Sequence, residues 1–349
     1  MHVGIIGIGT WLPKTLLSAA DIARATGLPE EVVALKYGVR QKPVAGSAET
    51  TAFMGLEAAR RALDNAGVTG SEIDLVIWCG AQHKDYPCWL AGLYIADKIG
   101  ARDAWSFDME AMCGSMMAAL DIAKSLIIAR GDLATVLLVS GYRNNDLIDL
   151  KEPSTRFMLD IGSGASALVL RKDAGRNAIL SSSFRGDGSF SEMCLVPTLG
   201  SKAWPPGPGD GDRARFFVPD QEVFKKRLGE ATLPNFFTVI REALRRSGFP
   251  DDPGTGKPDR CIDYLALLHF KRSAHDAVLA ELGLTPEQTT YLDEYGHLGQ
   301  NDQVLSLELG LAAGRVRAGS TVVFVGAGLG FVWAATIITW GPYKEKSCA

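Results

Sequence analysis

Four residues with nucleophilic or proton-handling side chains lie beside the predicted ends of helices and strands. Cys113 stands just before a long apolar helix, in the segment FDMEAMCGSMMAAL. His297 and Asp302 lie in the segment YGHLGQNDQ, where another helix is predicted to begin, and His269 ends the apolar strand YLALLH. A cysteine can attack an acyl carbon, and a histidine oriented by an acid can move the proton. These residue types together predict nucleophilic catalysis at a cysteine.

The surroundings of Cys113 also favour this chemistry. Gly114 follows it and allows another segment to approach the backbone closely. Unpaired N–H groups and the positive end of the helix dipole favour a thiolate at such a position. A buried, inert cysteine is the alternative, and each histidine taken singly is more often a structural residue. Asp302 can equally be a helix cap. Their joint occurrence at three strand-to-helix junctions favours the catalytic interpretation.

Two pairs of segments repeat the same order of helix, turn and strand. Residues 56–77 and 239–268 each run from an amphipathic helix into a strand that follows Ile-Asp. Residues 115–140 and 303–327 each run from an apolar helix into a strand. Two such copies predict an α/β fold of two halves, each with a mostly parallel sheet covered by helices. Ligand sites form at the carboxyl ends of such strands. The two helix starts would meet if the halves face each other across a pseudo-two-fold axis.

Composition restricts the class of protein. The 349 residues, 47% hydrophobic and 22% charged, suit one large or two fused globular domains. The net charge of −4 offers no polycationic surface for nucleic acid or an anionic membrane. No run approaches the roughly 18–20 apolar residues of a membrane span, and the N-terminus is typical of a buried strand and not of a secretion leader. The six cysteines lack metal-ligand spacing. We therefore expect a cytoplasmic protein without nucleic-acid, membrane or metal partners.

Six segments, spread over nearly the whole chain, carry a family resemblance. They are EAARRALDNAG (57–67), MCGSMMAAL (112–120), MLDIGSGASALVL (158–170), FRGDGS (184–189), YGHLG (295–299) and VGAGLGFVWAA (325–335). They resemble segments of thiolase-superfamily condensing enzymes, most closely ketoacyl synthase III. The resemblance implies an α/β protein with the duplicated, five-layered α-β-α-β-α thiolase-like fold, and a homodimer. It implies a half at residues 1–171 that carries the nucleophile and a half at 172–349 that carries the histidines.

The resemblance also implies roles for the candidate residues. A branch of ketoacyl synthase III-like enzymes in antibiotic and polyketide pathways has Gly-His-Leu-Gly-x-x-Asp, as this chain does. There the histidine and aspartate complete a triad with the cysteine, which would make Cys113 the nucleophile, His297 the base and Asp302 the orienting acid. The backbone N–H groups of Cys113 and Ala327 would form the oxyanion hole.

Departures from the ordinary family pattern lie at ligand-binding positions. His269-Phe-Lys-Arg replaces His-Gln-Ala-Asn, and Gly296-His297 replaces Gly-Asn. Val32 and Lys36 stand where a tryptophan and an arginine would hold the adenine of coenzyme A. Solvated surface charge is the alternative explanation for the basic candidates. The candidates for acyl or carrier binding are Arg156, Lys271, Arg272, Met116, Met117, Trp89 and Phe157.

Three functions are open at this point. In the first, an acyl-CoA or acyl-carrier-protein thioester acylates Cys113, and His297 deprotonates the acceptor, in polyketide or other secondary-metabolite biosynthesis. In the second, Cys113, His269 and His297 form the cysteine and two histidines that decarboxylative condensation with a malonyl thioester uses. In the third, the chain is the non-catalytic partner subunit of a synthase. The coenzyme A or phosphopantetheine thioester is expected as substrate, with no permanently bound cofactor.

Overall fold

The computed structural model describes residues 2–80, 82–211 and 213–343. Both halves of the chain contain strands and helices. The strands are β1 (Val3–Trp11), β2 (Leu16–Ser18), β3 (Gln41–Pro43), β4 (Leu75–Cys79), β5 (Trp105–Met109), β6 (Thr135–Tyr142), β7 (Gly164–Lys172), β8 (Arg176–Gly186), β9 (Tyr264–Leu267), β10 (Thr321–Gly328) and β11 (Val332–Pro342). The α-helices are α1 (Ala19–Thr26), α2 (Thr51–Ala66), α3 (Ala91–Ile99), α4 (Ser115–Ala129), α5 (Gln221–Arg246), α6 (Arg272–Leu282) and α7 (Asp302–Ala312).

The main sheet has two halves with mirrored strand order. Its nine strands follow the order β5-β4-β6-β7-β1-β8-β11-β10-β9, and β1 joins β8 through the single pair Gly4 and Ala178. Counting outwards from this junction, β1, β7, β6 and β4 correspond to β8, β11, β10 and β9. An equivalent of β5 is reduced to an isolated parallel bridge between Leu265 and Thr289. The internal repeat of the sequence is therefore a repeat of the fold.

The strands of each half run mostly in one direction, as expected, but β7 in the first half and β11 in the second run against the others and make the sheet mixed. Strand β4 pairs in parallel with β5 and β6, and β9 pairs in parallel with β10, but β7 and β11 run antiparallel to their neighbours. The physical reason is the connection between strands. Strands β10 and β11 are joined by a short loop, which can only return the chain in the opposite direction, whereas parallel neighbours require a crossover segment.

The helices and sheets form five layers, as expected for the duplicated thiolase-like fold. Helices α2 and α3 pack on the outer face of the first half, and α5 packs on the outer face of the second. Helices α4 and α7 lie between the halves and contact strands of both. Their apolar side chains share one core with β1, β6, β8 and β10. The two central helices therefore start in the same interior region, which is where the candidate site lies.

The composition of α4 follows from its central position. A helix covered on opposite sides by two sheets must be apolar over most of its circumference. The stretch Met112–Ala129 is long and apolar enough to match a membrane span, with a mean hydropathy of 1.5. Met116, Met117 and Leu120 of this stretch are completely buried in the shared core. Packing between the two sheets thus accounts for its hydrophobicity.

Candidate active site

Cys113 lies in a tight turn between a parallel strand and the central helix of the first half. A 3₁₀ turn, Met112–Gly114, follows β5 and leads directly into α4. The Ser115 hydroxyl accepts the N–H of Ala111 at 2.8 Å and donates to the carbonyl of Met112 at 2.6 Å. The turn is therefore closed by its own hydrogen bonds. Cys113 is 8% exposed at the start of the helix, as the sequence predicted.

His297 is held from both sides by one neighbouring segment. Its backbone N–H donates to the carbonyl of Asp160 at 2.9 Å, and its carbonyl accepts the N–H of Gly162 at 2.9 Å. The preceding residue, Gly296, has φ of +64°, and a Cβ built there would lie 2.1 Å from the carbonyl oxygen of Asp160. Only glycine fits this approach. The glycine of the Gly-His pair thus allows the strand-like contact that positions the imidazole.

Cys113, His297 and Asp302 form one hydrogen-bonded chain. The Nε2 atom of His297 lies 3.2 Å from the Cys113 sulfur, and its Nδ1 atom lies 2.6 Å from Oδ2 of Asp302. Asp302 begins α7, is completely buried, and also accepts the backbone N–H groups of Leu298 at 2.6 Å and His269 at 2.7 Å. The carboxylate is thus held by three donors, and it orients the imidazole towards the sulfur.

The charges around His297 make it a strong base. Burial lowers the pKa of His297, but the negative charges of Asp302 and Cys113, with the hydrogen bonds to both, raise it further than burial lowers it. The net result is a pKa well above the ordinary value. A protonated imidazole beside the sulfur favours the thiolate, which is the nucleophilic form of cysteine. The arrangement can therefore supply both a nucleophile and a proton carrier.

The ring of His269 is turned away from this chain. Its Nδ1 atom lies 2.9 Å from Oδ2 of Asp160, and its Nε2 atom lies 3.0 Å from the carbonyl oxygen of Gly38. The ring also packs against Tyr291 with 5.0 Å between ring centroids. Both nitrogens are therefore engaged with acceptors outside the cysteine site. The structure brings the backbone of His269 to Asp302, and not its imidazole to Cys113.

A buried lysine supports the segment that holds His297. The Lys42 ammonium donates to the carbonyls of Leu159 and Ile161, each at 2.7 Å, on either side of Asp160. Burial lowers the pKa of Lys42 to about 8, although the charge of Asp160 raises it. Sequence reasoning missed Lys42 and Asp160. The available signal was an aspartate inside the otherwise apolar and small segment MLDIGSG.

Ala327, predicted for the oxyanion hole, lies in the glycine-rich end of β10, and this end of the strand contacts the nucleophile segment. A Cβ built on Gly328 would lie 3.0 Å from the backbone nitrogen of Cys113 and 2.4 Å from the carbonyl oxygen of Ala111. Ala327, one residue earlier, pairs with Trp333 of β11 in the sheet. The residue that makes the close approach is thus Gly328. The assignment of the Ala327 N–H, together with that of Cys113, to an oxyanion hole stays a prediction.

Two related family models match the chain, one in each half. The family described as 3-oxoacyl-[acyl-carrier-protein (ACP)] synthase III matches residues 107–188, and its C-terminal counterpart matches residues 256–340. The β-ketoacyl-[acyl-carrier-protein] synthase III of Agrobacterium fabrum is 29% identical over 343 residues, covering 96% of this chain and 98% of the relative. Both halves of this chain are therefore similar to ketoacyl synthase III-like enzymes of the thiolase superfamily.

Solved structures of ketoacyl synthase III-like enzymes share the fold from end to end. The 3-oxoacyl-(acyl carrier protein) synthase III of Pseudomonas aeruginosa PAO1 has a TM-score of 0.84 and 25% identity, covering 98% of this chain and 99% of that one. The priming β-ketosynthase of the R1128 polyketide pathway has a TM-score of 0.83 and 24% identity, covering 98% and 97%. The matching family models and relatives support a transferase of the acyltransferase type.

In this ketoacyl synthase III-like chain, the predicted ligand-binding residues are scattered. Arg156 and Phe157 lie in the 3₁₀ turn Pro153–Met158, where Phe157 packs against Phe224 at 5.2 Å between ring centroids. The Arg156 Nε atom is buried without a hydrogen-bond partner. Lys271 and Arg272 are exposed at the start of α6, where Arg272 forms an ion pair with Asp276 at 3.0 Å. Their roles in binding the acyl group or carrier stay predictions.

The remaining candidates for acyl or carrier binding are two core methionines and a tryptophan in a loop. Met116 and Met117 are completely buried between the sheets, and the Met116 sulfur lies 3.9 Å from that of Cys79. Packing of α4 is the plainer explanation for both methionines. Trp89 packs against Tyr86 and Tyr94 in the loop before α3. Among the described residues, no group of three His, Cys, Asp or Glu side chains is arranged to hold a metal ion.

Proposed function

We propose that the protein takes an acyl group from an acyl-CoA or acyl-carrier-protein thioester onto Cys113 and passes it to a nucleophilic acceptor, in polyketide or other secondary-metabolite biosynthesis. The hydrogen-bonded chain of Cys113, His297 and Asp302 supports the proposal. In this account coenzyme A or a phosphopantetheine arm enters as part of the substrate thioester. No permanently bound cofactor takes part.

The first half-reaction loads the cysteine. The Cys113 thiolate attacks the carbonyl carbon of the donor thioester, and backbone N–H groups stabilise the oxyanion that forms. The bond between that carbon and the donor sulfur then breaks. The departing thiolate takes the proton that the His297 imidazolium holds, and leaves as a free thiol. His297 is left neutral beside the acyl-enzyme, with its Nδ1–H still bonded to Asp302.

The second half-reaction uses His297 as a base. An acceptor hydroxyl, amine or thiol gives its proton to Nε2 of His297 while its heteroatom attacks the acyl carbon. The bond from that carbon to the Cys113 sulfur breaks, and the sulfur leaves as a thiolate. The imidazolium and thiolate are restored for the next cycle. The Asp302 carboxylate stabilises the imidazolium in this step, which agrees with the raised pKa of His297.

The contacts of the His269 ring favour acyl transfer over decarboxylative condensation. Decarboxylative condensation needs donors that stabilise the enolate formed when carbon dioxide leaves, and the elongating enzymes of the superfamily use two imidazoles. Here the ring nitrogens of His269 face Asp160 and Gly38. His297 is therefore the imidazole that this geometry offers to a substrate on Cys113. One base beside an oriented carboxylate suits acyl transfer.

Condensation is the second candidate, and the names of the relatives support it better than they support transfer. The curated relatives similar to this chain along 96% of its length are named β-ketoacyl-[acyl-carrier-protein] synthase III. In that reaction a malonyl thioester loses carbon dioxide, and its α-carbon attacks the acyl carbon on Cys113 to give a 3-oxoacyl product. On the comparisons alone this reaction fits the chain at least as well.

Two measurements separate the candidates. Intact-protein mass spectrometry after mixing with acyl-CoA or acyl-carrier-protein should find one acyl adduct in the wild type and none in Cys113→Ala. Adding malonyl-carrier-protein should then release no carbon dioxide if transfer is correct. Carbon dioxide release that is lost in His269→Gln would establish condensation and overturn transfer. A wild type that never becomes acylated would instead favour the non-catalytic partner subunit. Size-exclusion chromatography with light scattering tests the expected homodimer.

A further inference from the structure

Asp160 contacts the candidate active site from two directions. Its main-chain carbonyl accepts the N–H of His297 at 2.9 Å. Its carboxylate faces another way, and Oδ2 lies 2.9 Å from Nδ1 of His269. The backbone N–H of His269 in turn donates to Oδ2 of Asp302 at 2.7 Å. Asp160 is therefore linked both to the base of the site and, through His269, to the acid that orients this base.

The hydrogen bonds of the His269 ring fix its protonation state. The Nε2 atom lies 3.0 Å from the carbonyl oxygen of Gly38, which can only accept a hydrogen bond, so this nitrogen carries a proton. The Nδ1 atom faces the carboxylate of Asp160, and the proton between them belongs to the imidazole, which is the stronger base. The ring is thus an imidazolium that forms an ion pair with Asp160. Both of its nitrogens are used as donors, which leaves neither of them to take a proton from a substrate.

The ion pair is enclosed by other charged and aromatic groups. The side chain of His269 is completely buried, and that of Asp160 is 10% exposed. The Lys42 ammonium donates to the carbonyls on either side of Asp160, which places a second positive charge near the carboxylate. The ring of Tyr291 covers the imidazolium at 5.0 Å between centroids. The titratable or charged groups around the pair are Lys42, Tyr291, Asp302 and, beyond the Tyr291 ring, His275 and Arg272.

We propose that Asp160 and His269 are positioning residues for the acid of the site, Asp302. Their ion pair fixes the ring of His269 and thereby holds its backbone N–H against Oδ2 of Asp302, the oxygen that also binds Nδ1 of His297. The inference rests on the proposed acyl transfer, in which His269 does not contact the substrate. The ion pair keeps its proton through both half-reactions. Without it the carboxylate can turn away, and the ring of His297 loses the partner that orients it.

A double-mutant cycle of Asp160→Asn and His269→Gln tests whether the two residues act together. Asp160→Asn removes the charge but keeps the size of the side chain and its main-chain contacts. Alkylation of Cys113 by iodoacetamide is followed across pH by peptide-level mass spectrometry, because Cys88 is also exposed. Each single variant should move the alkylation midpoint to higher pH, because a displaced Asp302 no longer favours the imidazolium that stabilises a thiolate.

The size and the additivity of the effects are also predicted. Each single variant should slow acylation of Cys113 about tenfold, within the range measured for residues of one hydrogen-bond network. The double variant should match His269→Gln in both rate and alkylation midpoint, because the Asp160 carboxylate acts through the His269 ring. Effects of the two substitutions that simply add would overturn the inference.

Two control variants change equally buried residues that do not contact Asp302. His275 is 2% exposed and packs on Tyr291 at 4.9 Å between centroids, but neither of its ring nitrogens has a hydrogen-bond partner among the described residues. The Asp259 side chain is 9% exposed and forms an ion pair with Arg241 at 2.8 Å. His275→Gln and Asp259→Asn should lower the free energy of unfolding and leave the alkylation midpoint of Cys113 unchanged. A midpoint that moves in these controls would show that loss of stability alone explains the shift, and would overturn the inference.

Nuclear magnetic resonance of protein with isotope-labelled histidine observes the ring directly. The His269 signals are those that His269→Gln lacks, and they should show two protonated ring nitrogens at about pH 8, above the ordinary titration range of histidine. A ring with one N–H at this pH would overturn the inference. If His269→Gln does not fold, the alkylation midpoint of Asp160→Asn decides alone, and a wild-type midpoint there would overturn the inference.

The outcomes separate this inference from the proposed function. Alkylation of Cys113 needs no acyl donor. A shifted midpoint in a protein that no thioester acylates would therefore refute the proposed function and leave the positioning roles standing. A His269→Gln protein with the wild-type midpoint that loses only carbon dioxide release would instead make His269 a condensing imidazole, and would overturn both.

Discussion

The backbone N–H of His269 donates to Oδ2 of Asp302 at 2.7 Å, the same oxygen that binds Nδ1 of His297. One carboxylate oxygen thus binds both histidines, the ring of His297 and the backbone N–H of His269. His297 offers its ring to the cysteine, while His269 offers its main chain to the acid. A residue at a position expected to carry a second catalytic imidazole instead helps to hold the acid that orients the first.

Asp302→Asn should slow acylation of Cys113 by about 100-fold or more, the range in which positioned acid–base groups contribute. The amide keeps the size of the side chain but removes the charge that holds the pKa of His297 high. It also places an N–H₂ group among three N–H donors. Single-turnover acylation measured by mass spectrometry checks this. Asp276→Asn, at an exposed ion pair with Arg272, is the control and should react like the wild type.

The stability contribution of His297 should decrease as the pH rises. Its pKa is raised by folding, so the folded state binds the proton more tightly than the unfolded chain. The contribution is fully present below the unfolded pKa of about 6.5 and is lost as the pH rises through the higher folded value. Urea unfolding gives the free energy of unfolding of the wild type and of His297→Gln. The wild type should exceed the variant by more at about pH 5.5 than at about pH 9.5. A difference that grows with pH would contradict the raised pKa.

Gly328→Ala should abolish acylation with little loss of overall structure. The added methyl group would lie 2.4 Å from the carbonyl oxygen of Ala111 and 3.0 Å from the nitrogen of Cys113, so the nucleophile turn must move. Gly131→Ala is the matched control, because a Cβ at Gly131 meets open space. Circular dichroism establishes folding, and acyl-adduct formation reports the site. Wild-type acylation in folded Gly328→Ala would refute the close approach.

Lys42→Met should both destabilise the protein and slow acylation. The ammonium donates to two buried carbonyls, and each unsatisfied buried group costs about 1–3 kcal/mol. We expect a loss of about 2 kcal/mol or more in the free energy of unfolding, partly offset by removal of a buried charge. Acylation should fall because the segment around Asp160 also binds the backbone of His297. Lys225→Met removes an exposed lysine of α5 and should change neither quantity.

The sequence by itself was sufficient for the fold class and for the central pair of the site. The repeated helix and strand segments predicted two α/β halves, and the helix starts of the two halves do meet at Cys113 and His297. These predictions succeed because local patterns decide where helices and strands begin, and short connections restrict how they can pack. Asp302 lies beside His297 for a similar reason, since the acid and the histidine are only five residues apart, and its role as the orienting acid stays a prediction.

Tertiary structure alone decided the direction of the side chains that surround this pair. His269 follows a strand, as predicted, but its ring direction is set by Asp160 and Gly38, which are 109 and 231 residues away in sequence. Lys42 likewise acquires its role only when a distant segment, the one around Asp160, folds against it. Local sequence patterns do not predict such contacts. A side chain after the end of a strand rotates towards whichever polar partner folding places beside it.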